Sequence, residues 1–493
     1  MFMCCIMALY FTCSVVHTLN IILLLYPLFV STQISNKHGF LLCLLLLLLL
    51  LPLSAFYLSL QLFPHHPTLT FPHKPIISRS IPKIQLSSLL LIIQAFHLKN
   101  PQTTATSLSS HSYGGYSISL SFGTPPQIIP FVMDTGSQLV WFPCTTHYLC
   151  RNCSFSSSNH HHHHPPPKIP FFIPKKSSSS KIVGCHNPKC AWIHDHNLKC
   201  RDTQICPPYL VLYGSGNTGG IALSETLNLP NKTIPDFLVG CSVTSYRQPA
   251  GIAGFGRGDT SLPSQLNLNK FSFCLLSHKL DDTRRSSSLV LDTGSHSAKK
   301  TSRLIYTPFI NNPRVPGRSE FSVYYYLGLR RITVGGQHVK ILSKYLSPEN
   351  DGNGGTIIDS GTTFTFMTRD VVEPLVDELV AQVKNYSTRA VDAEVKTGLS
   401  LCFNISGAKT ITFPELRLHF KGGSDMVIPL ENYLVAVDDD SIKCLAVVTD
   451  GVDGGEATRG GPAIILGNFQ MQNYYVEYDL RNQRLGFKKQ QCR

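Results

Sequence analysis

The sequence predicts a mainly β protein that folds as two comparable lobes. Only 15% of its 493 residues are charged and 43% are hydrophobic, while Gly and Pro are frequent, a composition typical of strands joined by turns. Asp134 and Asp359, 225 residues apart, each follow an apolar β-forming run and precede a Gly turn. This length suits two domains with leader segments better than one small domain.

The charge pattern excludes one class of partner. The formal net charge is +13, but the basic residues are scattered apart from short pairs such as Lys175-Lys176 and Lys488-Lys489. A nucleic-acid-binding protein concentrates its basic residues on one face or stripe. No nucleic-acid partner is therefore predicted.

The first hundred residues differ in composition from the rest. Residues 6–30 are largely apolar, and a second apolar stretch begins at Phe40 and ends near the small residues Ser54 and Ala55. These stretches predict a cleaved signal peptide or a retained signal anchor within residues 1–63, so membrane contact is expected only if the apolar segment is retained. Residues 64–108 lack a strong period and are interpreted as a pro-segment or linker.

The cysteine count supports a secretory route. Sixteen cysteines are present, and an even dozen follow the leader, which predicts six disulfides. Zinc is the alternative for Cys185, Cys190, Cys200 and Cys206, which have His186, His194 and His196 nearby, although neither spacing is the Cys-x2-Cys of structural zinc sites. Four Asn-x-Ser/Thr tripeptides predict glycosylation, at Asn152, Asn231, Asn385 and Asn404.

The body of the chain consists mainly of predicted strands. Alternation of apolar residues and Ser from Tyr116, followed by Gly-Thr-Pro-Pro, predicts a strand and hairpin, and apolar spacing of three and four from Val371 predicts a helix. We assign residues 109–310 to an N-terminal lobe and residues 311–493 to a C-terminal lobe. The His-, Pro- and Ser-rich residues 154–181 are interpreted as a surface insertion without a core, although the five consecutive His could also bind a metal.

A third aspartate, Asp292, lies in the same tetrapeptide as Asp134, and the flanking residues separate the two. Apolar residues continue after Asp134 and Asp359, whereas Asp292 is followed by a polar run. An apolar-apolar-Gly unit ending at Gly254 follows Asp134, and a similar unit ending at Gly467 follows Asp359 at a similar distance. We therefore predict that Asp134 pairs with Asp359 and that Asp292 ends a strand.

Two buried carboxyl groups brought together from two symmetric halves can share one proton. Mutual repulsion lowers one pKa and raises the other, an effect for which aspartic proteases are the standard example. The ionised group can then activate water while the protonated group donates to a carbonyl oxygen, which hydrolyses an amide without metal. Glycoside hydrolysis also uses two carboxylates but does not require symmetric turns. The remaining alternative is that both turns are purely structural.

Five motifs together resemble the pepsin-like aspartic proteases, most closely the plant nepenthesin-type group, from about residue 112 to the end. They read FVMDTGSQLVWFPC, LYGSGNTGG, AGIAGFGRG, IIDSGTTFTF and AIILGNF. The resemblance implies a bilobal fold of two pseudo-symmetric β-barrel-like lobes with a few helices, and catalytic roles for Asp134 and Asp359. It assigns supporting roles to Thr135, Gly136, Ser137, Ser360, Gly361 and Thr362, with Thr135 and Ser360 linking the lobes. It also implies a substrate-binding flap formed by Tyr213, Gly214, Ser215 and Gly216, whose tyrosine hydroxyl bonds Trp141.

The resemblance also implies a disulfide pairing that the spacing alone leaves open. The implied pairs are Cys144–Cys150, Cys153–Cys241, Cys185–Cys206, Cys190–Cys200, Cys274–Cys492 and Cys402–Cys444. The interval from Cys144 to Cys150 is longer than this pattern leads us to expect, and the insertion after Cys153 is a further departure from the family.

Two classes of function remain open at this point. The first is an endopeptidase without cofactor or metal, monomeric, which cuts extended polypeptides at acidic pH in the secretory pathway, cell wall, extracellular space or vacuole. The second is a catalytically silent inhibitor, because the family resembled includes inhibitors of cell-wall-degrading glycosidases. Both aspartates, both neighbouring hydroxyl residues and the flap tyrosine are present, which favours the protease.

Overall fold

The structure is a computed structural model that describes residues 103–493 with gaps. The residues not described within that range are 112–113, 154–168, 195–197, 199, 201–203, 249, 278–279, 281–284, 295–300, 384–387, 408–410, 438–440 and 451–459. The predicted signal segment at 1–63, most of the predicted pro-segment and the five consecutive His lie outside the described residues. Within the part described, no helix is both long and apolar enough to cross a membrane.

Strands dominate the described residues, as the composition predicts. The strands up to residue 292 are β1 (Thr103–Ser110), β2 (Tyr116–Phe122), β3 (Gln127–Asp134), β4 (Trp141–Pro143), β5 (Leu149–Arg151), β6 (Lys181–Ile182), β7 (Tyr209–Tyr213), β8 (Gly216–Leu229), β9 (Lys232–Tyr246), β10 (Gly251–Gly254), β11 (Lys270–Cys274) and β12 (Ser286–Asp292). The first strand, β1, includes residues that the sequence analysis assigned to the pro-segment or linker. It pairs with both β2 and β12.

The second half contributes shorter strands. They are β13 (Ile305–Pro308), β14 (Tyr326–Leu327), β15 (Leu329–Val334), β16 (Gln337–His338), β17 (Thr356–Ile358), β18 (Thr365–Met367), β19 (Thr388–Arg389), β20 (Cys402–Asn404), β21 (Leu416–Phe420), β22 (Asp425–Ile428), β23 (Leu434–Val437), β24 (Ile442–Leu445), β25 (Val447–Val448), β26 (Ile464–Leu466), β27 (Tyr474–Asp479) and β28 (Arg484–Lys489).

Helices are few, and all but one are short. The described α-helices are α1 (Pro188–Ile193), α2 (Leu262–Gln265), α3 (Ser343–Leu346), α4 (Arg369–Gln382), α5 (Val391–Thr397), α6 (Leu430–Tyr433) and α7 (Asn468–Met471). Helix α4 confirms the helix predicted from Val371, because its buried face carries the apolar residues spaced at three and four. Two 3-10 helices cover Pro174–Lys176 and Ser319–Val323.

One sheet joins the two halves of the chain. A 15-stranded sheet runs in the order β13-β28-β27-β11-β12-β1-β2-β3-β10-β4-β9-β8-β6, with β5 on β9 and β7 on β8. Strand β11 pairs antiparallel with β27, so that Phe271 faces Tyr478 and Phe273 faces Val476. The C-terminal strands β27 and β28 therefore extend the sheet of the N-terminal half. The second half also forms one five-stranded and two four-stranded sheets.

The interior corrects the predicted extent of the insertion. Phe172 lies within residues 154–181, yet it is fully buried and packs against Phe142 with ring centroids 4.5 Å apart. Its backbone is hydrogen-bonded to the end of β4, through Pro143 and Thr145. The interpretation of this segment as coreless was therefore wrong from about residue 170, because the apolar pair at 171 and 172 supplies a core side chain.

Two hydroxyl residues join the halves beneath the predicted catalytic pair. The backbone N–H of Thr135 donates to Ser360 Oγ at 3.2 Å, and the N–H of Ser360 donates to Thr135 Oγ1 at 2.9 Å. Thr135 Oγ1 donates to the carbonyl of Ile358 at 3.3 Å, and Ser360 Oγ donates to that of Met133 at 2.7 Å. Both side chains are fully buried, so no water can replace these bonds. This is the link that the resemblance implied.

The described disulfides number six, but their pairing corrects the implied one. Cys274–Cys492 and Cys402–Cys444 are confirmed. The other eight cysteines pair differently from the prediction, as Cys144–Cys241, Cys150–Cys153, Cys185–Cys200 and Cys190–Cys206.

Strand pairing explains the first exchange of partners. Strand β4 runs parallel to β9, with Phe142 opposite Cys241, so Cys144 lies beside Cys241 with Cα atoms 5.1 Å apart. Strand β5 pairs farther along β9, with Cys150 opposite Ser245. Cys150 therefore lies farther along β9 than Cys144 does. It bonds the next cysteine in the chain, Cys153.

Burial accompanies the second exchange. Cys190 on α1 and Cys206 are both buried in a small apolar cluster that includes Val183 and Leu238. His194 also lies close to these two sulfurs, but the sulfurs are bonded to each other and His194 Nε2 pairs with the carbonyl of Pro207 at 2.9 Å. The zinc alternative would require these thiols to be free.

We expect non-reducing peptide mapping to find the pairs of the structure. Trypsin can cleave after Arg151, Lys189 and Arg201, and chymotrypsin after Tyr148, so the neighbouring cysteines fall on separate peptides. Mass spectrometry should then link Cys144 to Cys241 and Cys150 to Cys153. A peptide that links Cys144 to Cys150 would instead support the pairing implied by the resemblance.

Replacing Thr135 by Val should lower the free energy of unfolding by about 1 to 3 kcal/mol, because the buried N–H of Ser360 loses its acceptor. Thr356→Val is the matched control. Thr356 is also fully buried, yet its hydroxyl has no hydrogen-bond partner among the described residues, so its loss should be neutral or stabilising. Urea unfolding of both variants measures the difference, and equal effects would contradict a special role for the link.

Candidate active site

Two equivalent backbone arrangements place Asp134 and Asp359. Asp134 ends β3, whose parallel neighbour β10 places Gly254 opposite it, and its carbonyl accepts from the N–H of Phe255 at 2.7 Å. Asp359 directly follows β17, and its N–H donates to the carbonyl of Leu466 on the parallel strand β26 at 2.9 Å. The repeat predicted from the apolar-apolar-Gly units is therefore present in the fold.

Glycine is required at the end of each of these units. A Cβ on Gly254 would collide with the backbone of Gln138, and one on Gly467 would come 2.5 Å from the carbonyl oxygen of Thr363. Both contacts lie just after the respective aspartate, where the chain turns away. The glycines at positions 254 and 467 are therefore required because any side chain there would collide with the turn that follows each aspartate.

The hydrogen bonds around the two carboxyl groups match one another. Gly136 N–H donates to Asp134 Oδ1 at 2.8 Å, and Ser137 Oγ donates to Oδ2 at 2.5 Å. Around Asp359, Gly361 N–H donates to Oδ1 at 2.8 Å, and Thr362 Oγ1 donates to Oδ2 at 2.7 Å. Each carboxyl group is therefore held in one orientation by a backbone and a hydroxyl donor, as the resemblance implied for these residues.

The two carboxyl groups face each other across the turns. A Cβ on Gly136 would lie 2.5 Å from Asp359 Oδ2, and one on Gly361 would collide with Asp134 Oδ1. Each glycine thus leaves room for the aspartate of the other half. Asp134 is 6% exposed and Asp359 is 9% exposed, so the pair is largely removed from solvent.

Burial raises the pKa of Asp134 well above its ordinary value, and the negative charge of Asp359 raises it further. The hydrogen bonds from Ser137 and Gly136 oppose this shift but do not cancel it. The arrangement therefore favours a pair that retains one proton, which is the state expected of two adjoining carboxyl groups.

The predicted flap is a hairpin formed by β7 and β8, in which Tyr213 faces Gly216. Trp141 is fully buried, and its Nε1 donates to the Tyr213 hydroxyl at 2.7 Å, as predicted. Burial, followed by the charge of Asp134, raises the pKa of Tyr213 well above its ordinary value, so the hydroxyl stays protonated. Gly214 and Ser215 form the exposed tip.

Asp292 lies away from this pair, as predicted. It ends β12, between Thr103 on β1 and Lys270 on β11. Its Oδ1 accepts from the N–H of Gly294 at 2.6 Å, so the local turn resembles those at the other two aspartates. Its Oδ2 lies 4.0 Å from Lys270 Nζ. The tetrapeptide that Asp292 shares with Asp134 therefore produces the same local turn, but it does not bring Asp292 to the pair formed by Asp134 and Asp359.

Three further residues at the site carried no recognised sequence signal. Tyr324 is half-buried, and burial, followed by the charges of Asp359 and Glu320, raises its pKa. Asn468 Nδ2 donates to the carbonyls of Gly114 and Ser360 at 2.9 and 3.0 Å. Tyr478 donates to Thr135 Oγ1 at 3.4 Å. The position of Asn468 directly after Gly467 was the one available clue.

The predicted glycosylation sites differ in accessibility. Asn231 lies exposed in the hairpin between β8 and β9. Asn152 is exposed but its Nδ2 donates to the Tyr246 hydroxyl at 3.0 Å, and Asn404 is half-buried in β20. Asn385 lies outside the described residues.

Two protein-family models match the chain. The model described as xylanase inhibitor N-terminal matches residues 116–295, and the model described as xylanase inhibitor C-terminal matches residues 324–489. The two matches divide the chain near the lobe boundary expected from the sequence.

Curated relatives and solved structures cover most of the chain. A probable aspartyl protease of Arabidopsis thaliana is 30% identical over 78% of this chain and 84% of its own length. The aspartic proteinase nepenthesin-1 of Nepenthes gracilis is 32% identical over 80% of this chain and 82% of its own.

Among solved structures, edgp (19% identical, TM-score 0.58) covers 79% of this chain and 95% of its own, and basic 7S globulin from soybean (18% identical, TM-score 0.56) covers 78% and 95%. At these identities the structures establish the fold alone. The identity to the proteases over most of the chain, together with the bilobal β fold, shows that this chain belongs to the pepsin-like aspartic protease family.

Proposed function

We propose that this protein is an aspartic endopeptidase that hydrolyses peptide bonds at acidic pH. The observation that carries the proposal is the complete site around Asp134 and Asp359, in which two facing carboxyl groups each keep a backbone and a hydroxyl donor. A binding protein on this fold would have no need of two oriented, facing carboxyl groups.

The proposed reaction uses the shared proton. Burial and the charge of Asp359 raise the pKa of Asp134, and we propose that Asp134 carries the proton that the pair shares, while the carboxylate of Asp359 accepts a proton from the attacking water. Asp134 donates to the carbonyl oxygen of the scissile bond, which gives a neutral tetrahedral diol. Asp134 then takes a proton from one diol hydroxyl, which becomes the carbonyl of the new carboxyl group, while Asp359 gives its proton to the departing nitrogen as the C–N bond breaks. The pair returns to its starting protonation state.

The substrate class follows from the flap. The hairpin of β7 and β8 carries Tyr213 to the side of Asp134, and glycines at 214 and 216 allow the backbone of an extended peptide to approach. We therefore propose polypeptides in an extended conformation as substrates, bound by a monomeric enzyme.

The cellular route is part of the same proposal. Six disulfides are stable in an oxidising compartment and are rare in the cytosol. The exposed Asn231 is the sequon best placed to carry a glycan. We infer passage through the secretory pathway towards the cell wall, the extracellular space or the vacuole, with maturation from a zymogen.

A non-catalytic inhibitor is the second candidate function. Both matching family models are described as xylanase inhibitor, which is the observation in its favour. On this alternative the purified mature chain would cleave no peptide at any pH but would bind and slow a xylan-degrading glycosidase.

Asp134→Asn and Asp359→Asn should each lower kcat/KM on a peptide substrate by at least about 10² to 10⁴-fold, because each removes one partner of the proton exchange. Asp292→Asn is the matched control, since that residue lies in the same turn but away from the pair. Its activity should remain within about twofold of wild type. An inactive, well-folded Asp292→Asn variant would overturn the pairing of Asp134 with Asp359.

The pH profile of kcat/KM should be bell-shaped with an acidic optimum. Activity requires the singly protonated pair, so it falls as pH rises through the raised pKa, and that descending limb lies above the ordinary aspartate pKa of about 3.9. Little activity should remain at pH 7.5. A peptide that carries a statine-type hydroxyl should inhibit, whereas a chelator should not. A neutral optimum abolished by a chelator would contradict the mechanism.

The same pKa has a consequence for stability. A proton bound more tightly in the folded state stabilises it at low pH, and this contribution disappears as pH rises through the raised pKa. Asp134→Asn replaces the ionisable carboxyl group by a neutral amide, so this pH-dependent contribution is absent from the variant. Its melting temperature should therefore decline less than that of wild type between pH 4 and pH 7.

A further inference from the structure

The tip of the flap is tied to a neighbouring loop by one side chain. Gln248 follows the end of β9, and its Nε2 donates to the carbonyl oxygen of Ser215, at the tip, with a length of 2.8 Å. A Cβ on Gly216 would collide with the carbonyl oxygen of Tyr246 and lie 3.2 Å from Gln248 Nε2. The tip therefore rests closely on this loop, and Gly216 permits that approach.

The loop is itself held from the other side. The hydroxyl oxygens of Tyr148 and Ser245 both lie 2.9 Å from the carbonyl oxygen of Gln248 and 2.6 Å from each other. The N–H of Arg247 donates to the carbonyl of Arg151 on β5 at 2.9 Å. Strand β5 is anchored by parallel pairing with β9 and by the Cys150–Cys153 disulfide. The loop that carries Gln248 is therefore held in place by hydrogen bonds to β5 and to two neighbouring hydroxyl groups.

The hairpin is also held by the pairing of β8 with β9, which reaches Asn217 opposite Tyr246. Leu210 and Leu212 on β7 are 69% and 73% exposed, so the outer face of the hairpin is not packed against the described residues. On the inner face, Tyr213 bonds Trp141 and lies close enough to Asp134 to feel its charge. Beyond the last residue of that pairing, the tip is held by the Tyr213–Trp141 bond below and by the Gln248–Ser215 bond at the end.

We propose that Gln248 is a positioning residue that holds the flap tip at the catalytic pair through its side-chain hydrogen bond to Ser215, so that the flap is already ordered when a substrate enters. This inference rests on the proposed endopeptidase function for its kinetic consequence only. Gln248 contacts the flap backbone and acts through the flap on substrate binding. Its side chain is half-buried and is not part of the hydrophobic core.

The test compares wild type with Gln248→Met, which keeps the length of the side chain but removes the donor. Tyr148→Phe removes one hydroxyl that supports the Gln248 carbonyl, and Gln337→Met makes the same chemical change at an exposed position on β16. Hydrogen–deuterium exchange of the full mature chain reports the order of residues 210–218 directly. Peptide cleavage reports KM and kcat separately.

We expect residues 210–218 to exchange about 2- to 10-fold faster in Gln248→Met, the range that one net hydrogen bond supports. Tyr148→Phe should change in the same direction by less, and Gln337→Met should match wild type. KM should rise by the same factor while kcat stays within about twofold, because the lost order must be regained on binding.

Unchanged exchange and unchanged KM in Gln248→Met would overturn the proposal. Faster exchange across the whole domain or a lowered melting temperature would also count against it, since a positioning residue should affect the hairpin alone. If wild type cleaves no peptide, the endopeptidase function fails, and the exchange experiment still decides whether Gln248 orders the flap.

Discussion

The reciprocal hydrogen bonds between Thr135 and Ser360 are the constraint on which the site depends. Each residue gives its N–H to the hydroxyl of the other, so two chain segments 225 residues apart are fixed at the level of one turn. The aspartates immediately precede these residues, and the glycines immediately follow them. Once the hydroxyl residues are in place, the geometry of the turns leaves the carboxyl groups facing each other.

Near-symmetry at this link does not produce two identical carboxyl groups. The donors around Asp134 and Asp359 correspond one to one, yet only the first half carries the β7–β8 hairpin, whose tyrosine feels the charge of Asp134. Burial, added to the charge of Asp359, raises the pKa of Asp134. The two carboxyl groups therefore differ in the way that the proposed acid and base roles require.

Neither the resemblance nor the cysteine spacing predicted the partners of eight of the twelve cysteines. Four cysteines lie within or beside β4, β5 and β9, and partner choice depends on the level at which each short strand meets β9. The position at which each short strand pairs with β9 depends on residues far apart in the chain, such as Cys144 and Cys241 with a separation of 97. A local sequence pattern does not encode such a pairing. The pairs Cys274–Cys492 and Cys402–Cys444 are those for which the pairing implied by the resemblance agrees with the structure.

The resemblance to the family supplied the bond between Tyr213 and Trp141. Sequence alone determined the fold class, the pairing of Asp134 with Asp359 and the exclusion of Asp292 from that pair. These depend on local turns and on an internal repeat, which leave a readable pattern in the chain. Tertiary structure alone decided the exchange of disulfide partners, the burial of Phe172, the strands β27 and β28 added to the first half, and the contacts of Tyr324, Asn468 and Gln248. Each of these arises from the approach of residues distant in the chain, where the register of strands and the packing of loops select the neighbour.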